Sequence, residues 1–345
     1  MNFNIMNDKQ LKVAVIGCGR ISVMHFDGIF AFGERVRLVA CCDNKPERAD
    51  YYAEKFGIKA YYDYKALLDN ESLDAVHICL PHYLHTAVAE YAFKRGVHVL
   101  SEKPMDVNYE KAEHAVQVAK DNGVLYGVIF QCRYNNAPIL VKRAVDSGKL
   151  GKIISVRSTL TWSRSDEYYS ESDWKGTWDK EGGGVIIDQA IHSIDLVNWI
   201  VNSKPKKVSC SIANRGHNIV KVEDSAEGLI IYENGVVYGF YAMNNYGCDE
   251  PIEIKLYCEK GKAVFGYDDA YITYNDGTQE EAHQVDVQTV EGGKDYWGFQ
   301  HAKQISEFYK AVLGEKELEI SGEECLKTHK LICELYEKGK ENYSV

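Results

Sequence analysis

No stretch of the chain approaches the roughly 18 apolar residues that a membrane-spanning helix needs, and the opening MNFNIMNDKQ has no apolar core of the kind a secretory signal requires. Both absences predict a cytoplasmic protein with no membrane partner. Basic charge is also scarce. Lys and Arg number 40 against 51 Asp and Glu, a formal net charge of −11, and the densest basic run, Lys204, Lys206 and Lys207 around Pro205, is short. That sign repels phosphate backbones, so no nucleic acid partner is expected. The ten cysteines include no CxxC pair and no clustered histidine spacing, which argues against zinc and against a disulfide framework. Metal: none is the expectation. Cys18, Cys41, Cys42 and Cys79 lie in or beside predicted strands, where a thiol behaves as a small buried hydrophobe.

The composition that remains, 45% hydrophobic and 26% charged over 345 residues, is that of a folded globular chain too long for one core, so two domains are expected. Residues 1–131 alternate short β-branched runs (12–16, 36–42, 75–80, 97–100, 124–127) with amphipathic stretches such as 86–95 and 109–122. That is the pattern of an α/β, doubly wound parallel sheet. After a helical stretch at 137–147, closed by Gly148, the rhythm changes. Alternating runs at 152–162, 208–213, 226–232, 236–243 and 252–259 predict a C-terminal α+β domain, residues 132–345, with a large, mostly antiparallel open sheet. It is interrupted by a helix at 184–201 and closed by helices near 297–313 and 323–340.

Directly after the first strand comes Gly17-Cys18-Gly19-Arg20-Ile21-Ser22, a GxGxxG-like loop with serine in the third glycine position. A strand precedes it, a helix follows, and Asp43 closes the second strand 24 residues beyond Gly19, which together read as a Rossmann dinucleotide site. Gly17 permits the turn, Gly19 lets a pyrophosphate approach the backbone, and the helix N-terminus with Arg20 and Ile21 offers N–H groups to it. A carboxylate at Asp43 accepts ribose hydroxyls and repels a 2′-phosphate, so NAD is favoured; Lys45 and Arg48 nearby keep NADP open.

Four further segments carry a resemblance: Cys79-Leu80-Pro81-His82-Tyr83-Leu84-His85, Glu102-Lys103-Pro104, Gly182-Gly183-Gly184, and Asp188-Gln189-Ala190-Ile191-His192. In that order they resemble the Gfo/Idh/MocA (glucose-fructose oxidoreductase and inositol dehydrogenase) family over nearly the whole chain. The one departure is Ala190, where the family commonly has glycine. The resemblance implies an NAD(P)-dependent enzyme that oxidises a sugar, glycoside or cyclitol hydroxyl, or reduces the ketone. By motif it implies Lys103, Asp188 and His192 as catalytic residues, and Leu80, Pro81, His85, Glu102, Lys103 and Gln131 beside the cofactor. It also implies a homodimer or homotetramer built on the open sheet face.

The residues read independently agree with this. Four positions apart in a helix, Asp188 and His192 share a face. Hydride transfer from a secondary alcohol needs a base for the O–H proton and a cation for the developing alkoxide, tasks that suit His192 and Lys103. Trp162, Arg164, Tyr168 and Trp178 lie in an unusually aromatic stretch. Aromatic faces with interleaved charges suit a carbohydrate, although the same residues could simply pack the loop. The resemblance also implies Arg133 and, on a late helix begun by Tyr296 and Trp297, His301 as substrate-binding candidates; His82 is expected to be exposed. Two other functions stay open: a redox-assisted NAD-dependent glycosidase, and a non-catalytic dinucleotide-sensing regulator. A zinc alcohol dehydrogenase lacks its ligand spacing.

Overall fold

The computed structural model describes residues 10–283, 300–341 and 343; Tyr296 and Trp297 lie outside them. Contacts between Cα atoms divide the chain into two compact units. Of the described residues, the first holds 10–106, 110–131 and 300–325, and the second holds 107–109, 132–283 and those from 326 onward.

In chain order the first stretch runs β1 (Leu11–Ile16), α1 (Ser22–Ala31), β2 (Val36–Cys42), α2 (Pro46–Phe56), β3 (Lys59–Tyr61), α3 (Tyr64–Asn70), β4 (Ala75–Ile78), α4 (His85–Phe93), β5 (His98–Ser101), α5 (Tyr109–Asp121) and β6 (Tyr126–Val128). All six strands pair in parallel, in the order β3-β2-β1-β4-β5-β6. The order reverses between β1 and β4, and open α/β sheets hold their ligands at the carboxyl ends of the strands flanking such a reversal. β1 and β4 are almost wholly buried because helices cover both faces.

The second stretch runs α6 (Asn136–Asp146), β7 (Ile153–Thr161), α7 (Asp166–Ser170), a π-helical turn (Ile186–Ala190), α8 (Ile191–Val201), β8 (Pro205–Ala213), β9 (Ser225–Tyr232), β10 (Val237–Met243), β11 (Glu253–Cys258), β12 (Gly261–Phe265), β13 (Asp269–Tyr274) and β14 (Gln279–His283). The last eight strands form one sheet, antiparallel except where β10 runs parallel to β7. Alternation sorts its residues cleanly. Val156, Tyr238, Ile254 and Ile272 are buried on one face, whereas Leu229, Val237, Tyr241, Tyr257 and Tyr271 stand exposed on the other.

The chain ends with α9 (His301–Val312) and α10 (Gly322–Lys340). Sequence reasoning placed α9 with residues 132–345; it groups instead with the first unit. Its apolar stripe, Ile305, Phe308 and Tyr309, is buried in the cluster that holds Phe26 and Ile29 of α1. Among the described residues no helix is long and apolar enough to cross a membrane.

Candidate active site

In the first unit, Gly17 lies at φ +96°, and a Cβ there would come within 2.2 Å of the Cys79 carbonyl oxygen. Only glycine lets the β1 turn lie against the end of β4. Gly19 differs: a Cβ there would meet only Arg48 Nη1, at 3.9 Å, so this side of the loop is open. Arg20 is exposed and Ile21 half-buried just before α1. Asp43 is buried, and its carboxylate takes the Cys18 N–H at 2.8 Å and the Lys45 N–H at 2.9 Å, tying the glycine loop to the start of α2. Each oxygen keeps a lone pair for a further donor.

The loops after β4 and β5 are joined by His85, whose Nε2 lies 2.7 Å from the Leu80 carbonyl and whose Nδ1 lies 2.6 Å from the Pro104 carbonyl. Burial pulls the basicity of His85 down, against these carbonyls and the charges of Glu102 and Asp106. Pro81 opens a short 3-10 turn in which His82 is buried, its ring 5.9 Å from that of His85; the expectation that His82 is exposed is corrected by this inward turn. Lys103 follows β5 at the carboxyl rim and is buried. Gln131 is fully buried, and neither its amide oxygen nor its nitrogen has a hydrogen-bond partner among the described residues. An open glycine loop, a carboxylate ending β2 and an orphaned carboxamide at the same rim fit a dinucleotide.

In the second unit, Asp188 sits on the π-helical turn rather than in a regular α-helix, a correction with a visible cause. The Glu223 carboxylate takes the Gly184 and Ile186 amides at 2.8 and 3.1 Å, and the Tyr336 hydroxyl takes the Ile187 amide at 3.1 Å. Side chains therefore satisfy N–H groups that begin the turn. Gly183 and Gly184 admit those partners: a Cβ would lie 2.0 Å from Tyr336 Oη at the first and 1.9 Å from the Glu223 carbonyl oxygen at the second. His192 follows in α8, buried, with its ring edge-on to Tyr267.

Asp188 Oδ2 receives the Tyr168 hydroxyl at 2.9 Å, Gln189 Nε2 at 2.7 Å and Lys175 Nζ at 3.3 Å. Asn244 in turn donates to Gln189 Oε1 at 3.0 Å and to the Tyr169 hydroxyl at 2.8 Å. Nearby Glu181 is fully buried and pushed up to about 8, by burial first and then by the charge of Asp188, with Lys175 opposing. Lys175, Gln189 and Asn244 were missed from sequence. Lys175 was visible only as one charge in the aromatic stretch, and Asn244 is far away along the chain.

The other candidates separate into groups. The Arg164 guanidinium lies 5.0 Å from the Trp162 ring and 5.7 Å from that of Tyr168, and pairs with Asp249 at 3.1 Å, so these residues form one cluster. Trp178 packs with Tyr168 against Tyr169, Val220 and Val222, and stands edge-on to Tyr336 with Lys340 Nζ 4.1 Å from its ring. Arg133 makes a buried two-pronged ion pair with Asp195, at 2.7 and 2.6 Å. His301 belongs to the first unit, where its Nε2 lies 3.2 Å from Glu102 Oε1.

Two domain models of one family match this chain in sequence order: the Oxidoreductase family, NAD-binding Rossmann fold, over residues 11–130, and the GFO/IDH/MocA C-terminal domain over residues 139–264. The chain belongs to the Gfo/Idh/MocA oxidoreductase family. Like other members, it carries an NAD-binding Rossmann domain. Levoglucosan dehydrogenase of Pseudarthrobacter phenanthrenivorans is 26% identical over 246 residues, 65% of this chain and 63% of that protein. Scyllo-inositol 2-dehydrogenase (NAD(+)) of Bacillus subtilis is 27% identical over 203 residues, 59% of this chain and 57% of that protein. The chain thus spans less than two thirds of the length of either relative. The WlbA dehydrogenase of Bordetella pertussis, solved with NADH and UDP-GlcNAcA, matches with a TM-score of 0.84 at 25% identity, over 96% of this chain and 97% of that one.

Proposed function

We propose that this Gfo/Idh/MocA protein is an NAD-dependent dehydrogenase or reductase acting on a secondary hydroxyl of a sugar, glycoside or cyclitol. One observation carries the reading: Lys103 follows β5 at the carboxyl rim of the same parallel sheet that bears the Gly17–Ser22 turn, where a dinucleotide belongs. The named substrates of levoglucosan dehydrogenase and scyllo-inositol 2-dehydrogenase support the substrate class.

When bound, the nicotinamide supplies the hydride acceptor or donor. The Lys103 ammonium stabilises the developing alkoxide, and His192 takes the hydroxyl proton in oxidation and returns it in reduction. Asp188, whose Oδ2 receives Tyr168, Gln189 and Lys175, orients the substrate carbon to be oxidised. Arg164 over Trp162 provides an aromatic and charged surface of the kind carbohydrates use.

The test is absorbance at 340 nm with sugars, glycosides, uronates and inositols, with NAD and NADP in parallel. NADH accumulation with an oxidised product is expected, and His192→Ala should lower turnover by roughly 10²–10⁴-fold with NAD affinity intact. Cleavage of a glycoside without NADH release would replace the dehydrogenase with the redox-assisted glycosidase. Near-normal turnover in His192→Ala would remove the histidine from the mechanism. Exposed Leu229, Val237, Tyr241, Tyr257 and Tyr271 on one sheet face support self-association into a dimer or tetramer, which light scattering decides.

A further inference from the structure

A continuous polar chain runs through the interior of the first unit and ends beside Lys103. Glu102 Oε1 lies 3.1 Å from His25 Nε2 and 3.2 Å from His301 Nε2, while Oε2 takes the Lys103 backbone N–H at 3.2 Å. Behind it, His25 Nδ1 lies 2.8 Å from His77 Nδ1, and His77 Nε2 lies 2.7 Å from the Tyr309 hydroxyl. None of the five side-chain owners is more than 6% exposed. They come from α1, β4, the end of β5 and α9, so tertiary folding alone assembles them.

With Glu102 ionised, such a chain has one arrangement of protons in which no donor faces a donor and every imidazole is neutral. His25 gives its Nε2–H to the Glu102 carboxylate, which leaves its Nδ1 lone pair to accept from His77 Nδ1–H. His77 Nε2 then accepts the Tyr309 O–H. Charge supports this direction. Burial lowers the basicity of His25, against its bond to Glu102, and holds His77 well below its ordinary value. Burial pushes the Glu102 carboxyl up, but the hydrogen bonds that His25 and His301 give it outweigh this and keep the group well below the usual range. The other groups facing Glu102 are Lys103, His85 on α4, and the Cys79 thiol beyond β4, which burial and the Glu102 charge keep protonated. The far end, Tyr309, is fully buried, so the chain is closed to solvent there.

We propose that His25, fixed in tautomer between Glu102 and His77, is a positioning residue for Lys103: it holds the Glu102 carboxylate ionised and turned so that Oε2 clamps the Lys103 backbone. The inference rests on the role given to Lys103 above. It assigns the histidines an orienting task with no proton transfer through them. Glutamine at position 25 can donate to Glu102 and accept from His77 without titrating; leucine can do neither.

The test has arms independent of activity. In ¹⁵N-histidine spectra of the cofactor-free protein, His25 should be neutral with its proton on Nε2, and His77 neutral with its proton on Nδ1, from pH 6 to 8. Amide exchange across 102–106 should quicken in His25→Leu and stay slow in His25→Gln. With a substrate in hand, His25→Leu should lose about 100-fold in kcat, the scale set by small misplacements of a reacting group, and gain a new acid limb in its pH profile as Glu102 begins to titrate. His25→Gln should restore kcat without that limb. If His25→Leu does not fold, Tyr309→Phe removes only the terminal donor and should leave the His77 proton on Nδ1, because the His25 Nδ1 lone pair still demands it. The opposite tautomers in the wild type, a His77 proton moved to Nε2 in Tyr309→Phe, or a His25→Gln variant as impaired as His25→Leu would overturn the proposal. A wild type that oxidises no carbohydrate would sink the catalytic reading instead, with the tautomers and exchange rates still deciding the clamp.

Discussion

Asp43 has two tasks that can be pulled apart. Its carboxylate accepts the Cys18 N–H at 2.8 Å and the Lys45 N–H at 2.9 Å, and it is expected to accept the ribose of NAD. In Asp43→Ala, Lys45 is exposed and water can replace its lost partner, whereas buried Cys18 keeps an unsatisfied donor at a cost of about 1–3 kcal/mol. At roughly 2–4 °C per kcal/mol for a unit of this size, the melting temperature should fall by several degrees. Losing a charged hydrogen bond to ribose, worth about 1.5–3 kcal/mol, should weaken NADH binding by roughly 10–100-fold, and removing the negative charge should narrow the preference over NADPH. Asp43→Asn separates the effects. Its amide oxygen can still take the Cys18 N–H while its nitrogen turns toward solvent near Lys45, so stability should stay near wild type while NADH affinity and discrimination fall. Fluorescence titration with NADH and NADPH beside thermal melts measures both. Wild-type affinity and preference in Asp43→Asn would reduce Asp43 to a loop fastener.

Gly17→Ala forces a Cβ to 2.2 Å from a backbone oxygen at φ +96° and should cost at least about 3 kcal/mol in urea denaturation, while Gly19→Ala, whose Cβ meets only Arg48 Nη1 at 3.9 Å, should keep stability and lose NADH affinity. Equal denaturation midpoints for the two would contradict this. Lys175→Met removes the cation that Asp188 Oδ2 holds at 3.3 Å and should lower kcat about 10–100-fold with NADH affinity unchanged; a purely structural lysine would shift the melting temperature alone. Burial pushes Glu223 up to about 7, against hydrogen bonds from Tyr336, Ile186 and Gly184. Because the folded state favours the protonated acid, its contribution is fully present below about pH 4.5 and is lost as the pH rises through 7, on the order of 3 kcal/mol in all. Melts from pH 5 to 8 should therefore slope less in Glu223→Gln than in wild type, and parallel curves would refute the assignment.

The Rossmann half was legible because its signals are local. A glycine pair after a strand and an acid closing the next strand occupy a few dozen residues and dictate their own geometry. The second sheet was legible in kind, since alternation marks a one-sided sheet, but β12 to β14 are short and lie past the last run that stood out. The placement of α9 was not legible: its stripe shows that it buries one face, and nothing in Ile305, Phe308 or Tyr309 names Phe26 and Ile29 as the cover. Arg133 was chosen by resemblance and Trp178 for residue type, and both signals are blind to partners such as Asp195 and Tyr336 that lie far along the chain.

The same blindness explains the turn that carries Asp188. Positions 188 and 192 fall near one face whether the backbone closes i to i+4 or i to i+5, so their spacing is silent about which ring forms. The choice belongs to groups far off in sequence. Glu223 and Tyr336 take the amides of Gly184, Ile186 and Ile187, and the Tyr336 hydroxyl in turn donates to Glu223 at 2.7 Å, closing a buried network around the start of the turn. A widened turn persists only where such partners compensate for its poorer hydrogen bonds, and π-turns gather at functional sites. The three glycines at 182–184 belong to that compensation: the contacts at Gly183 and Gly184 leave no room for a Cβ, so the glycine run seen in the sequence encodes the approach of Tyr336 and Glu223, and through them the setting of Asp188.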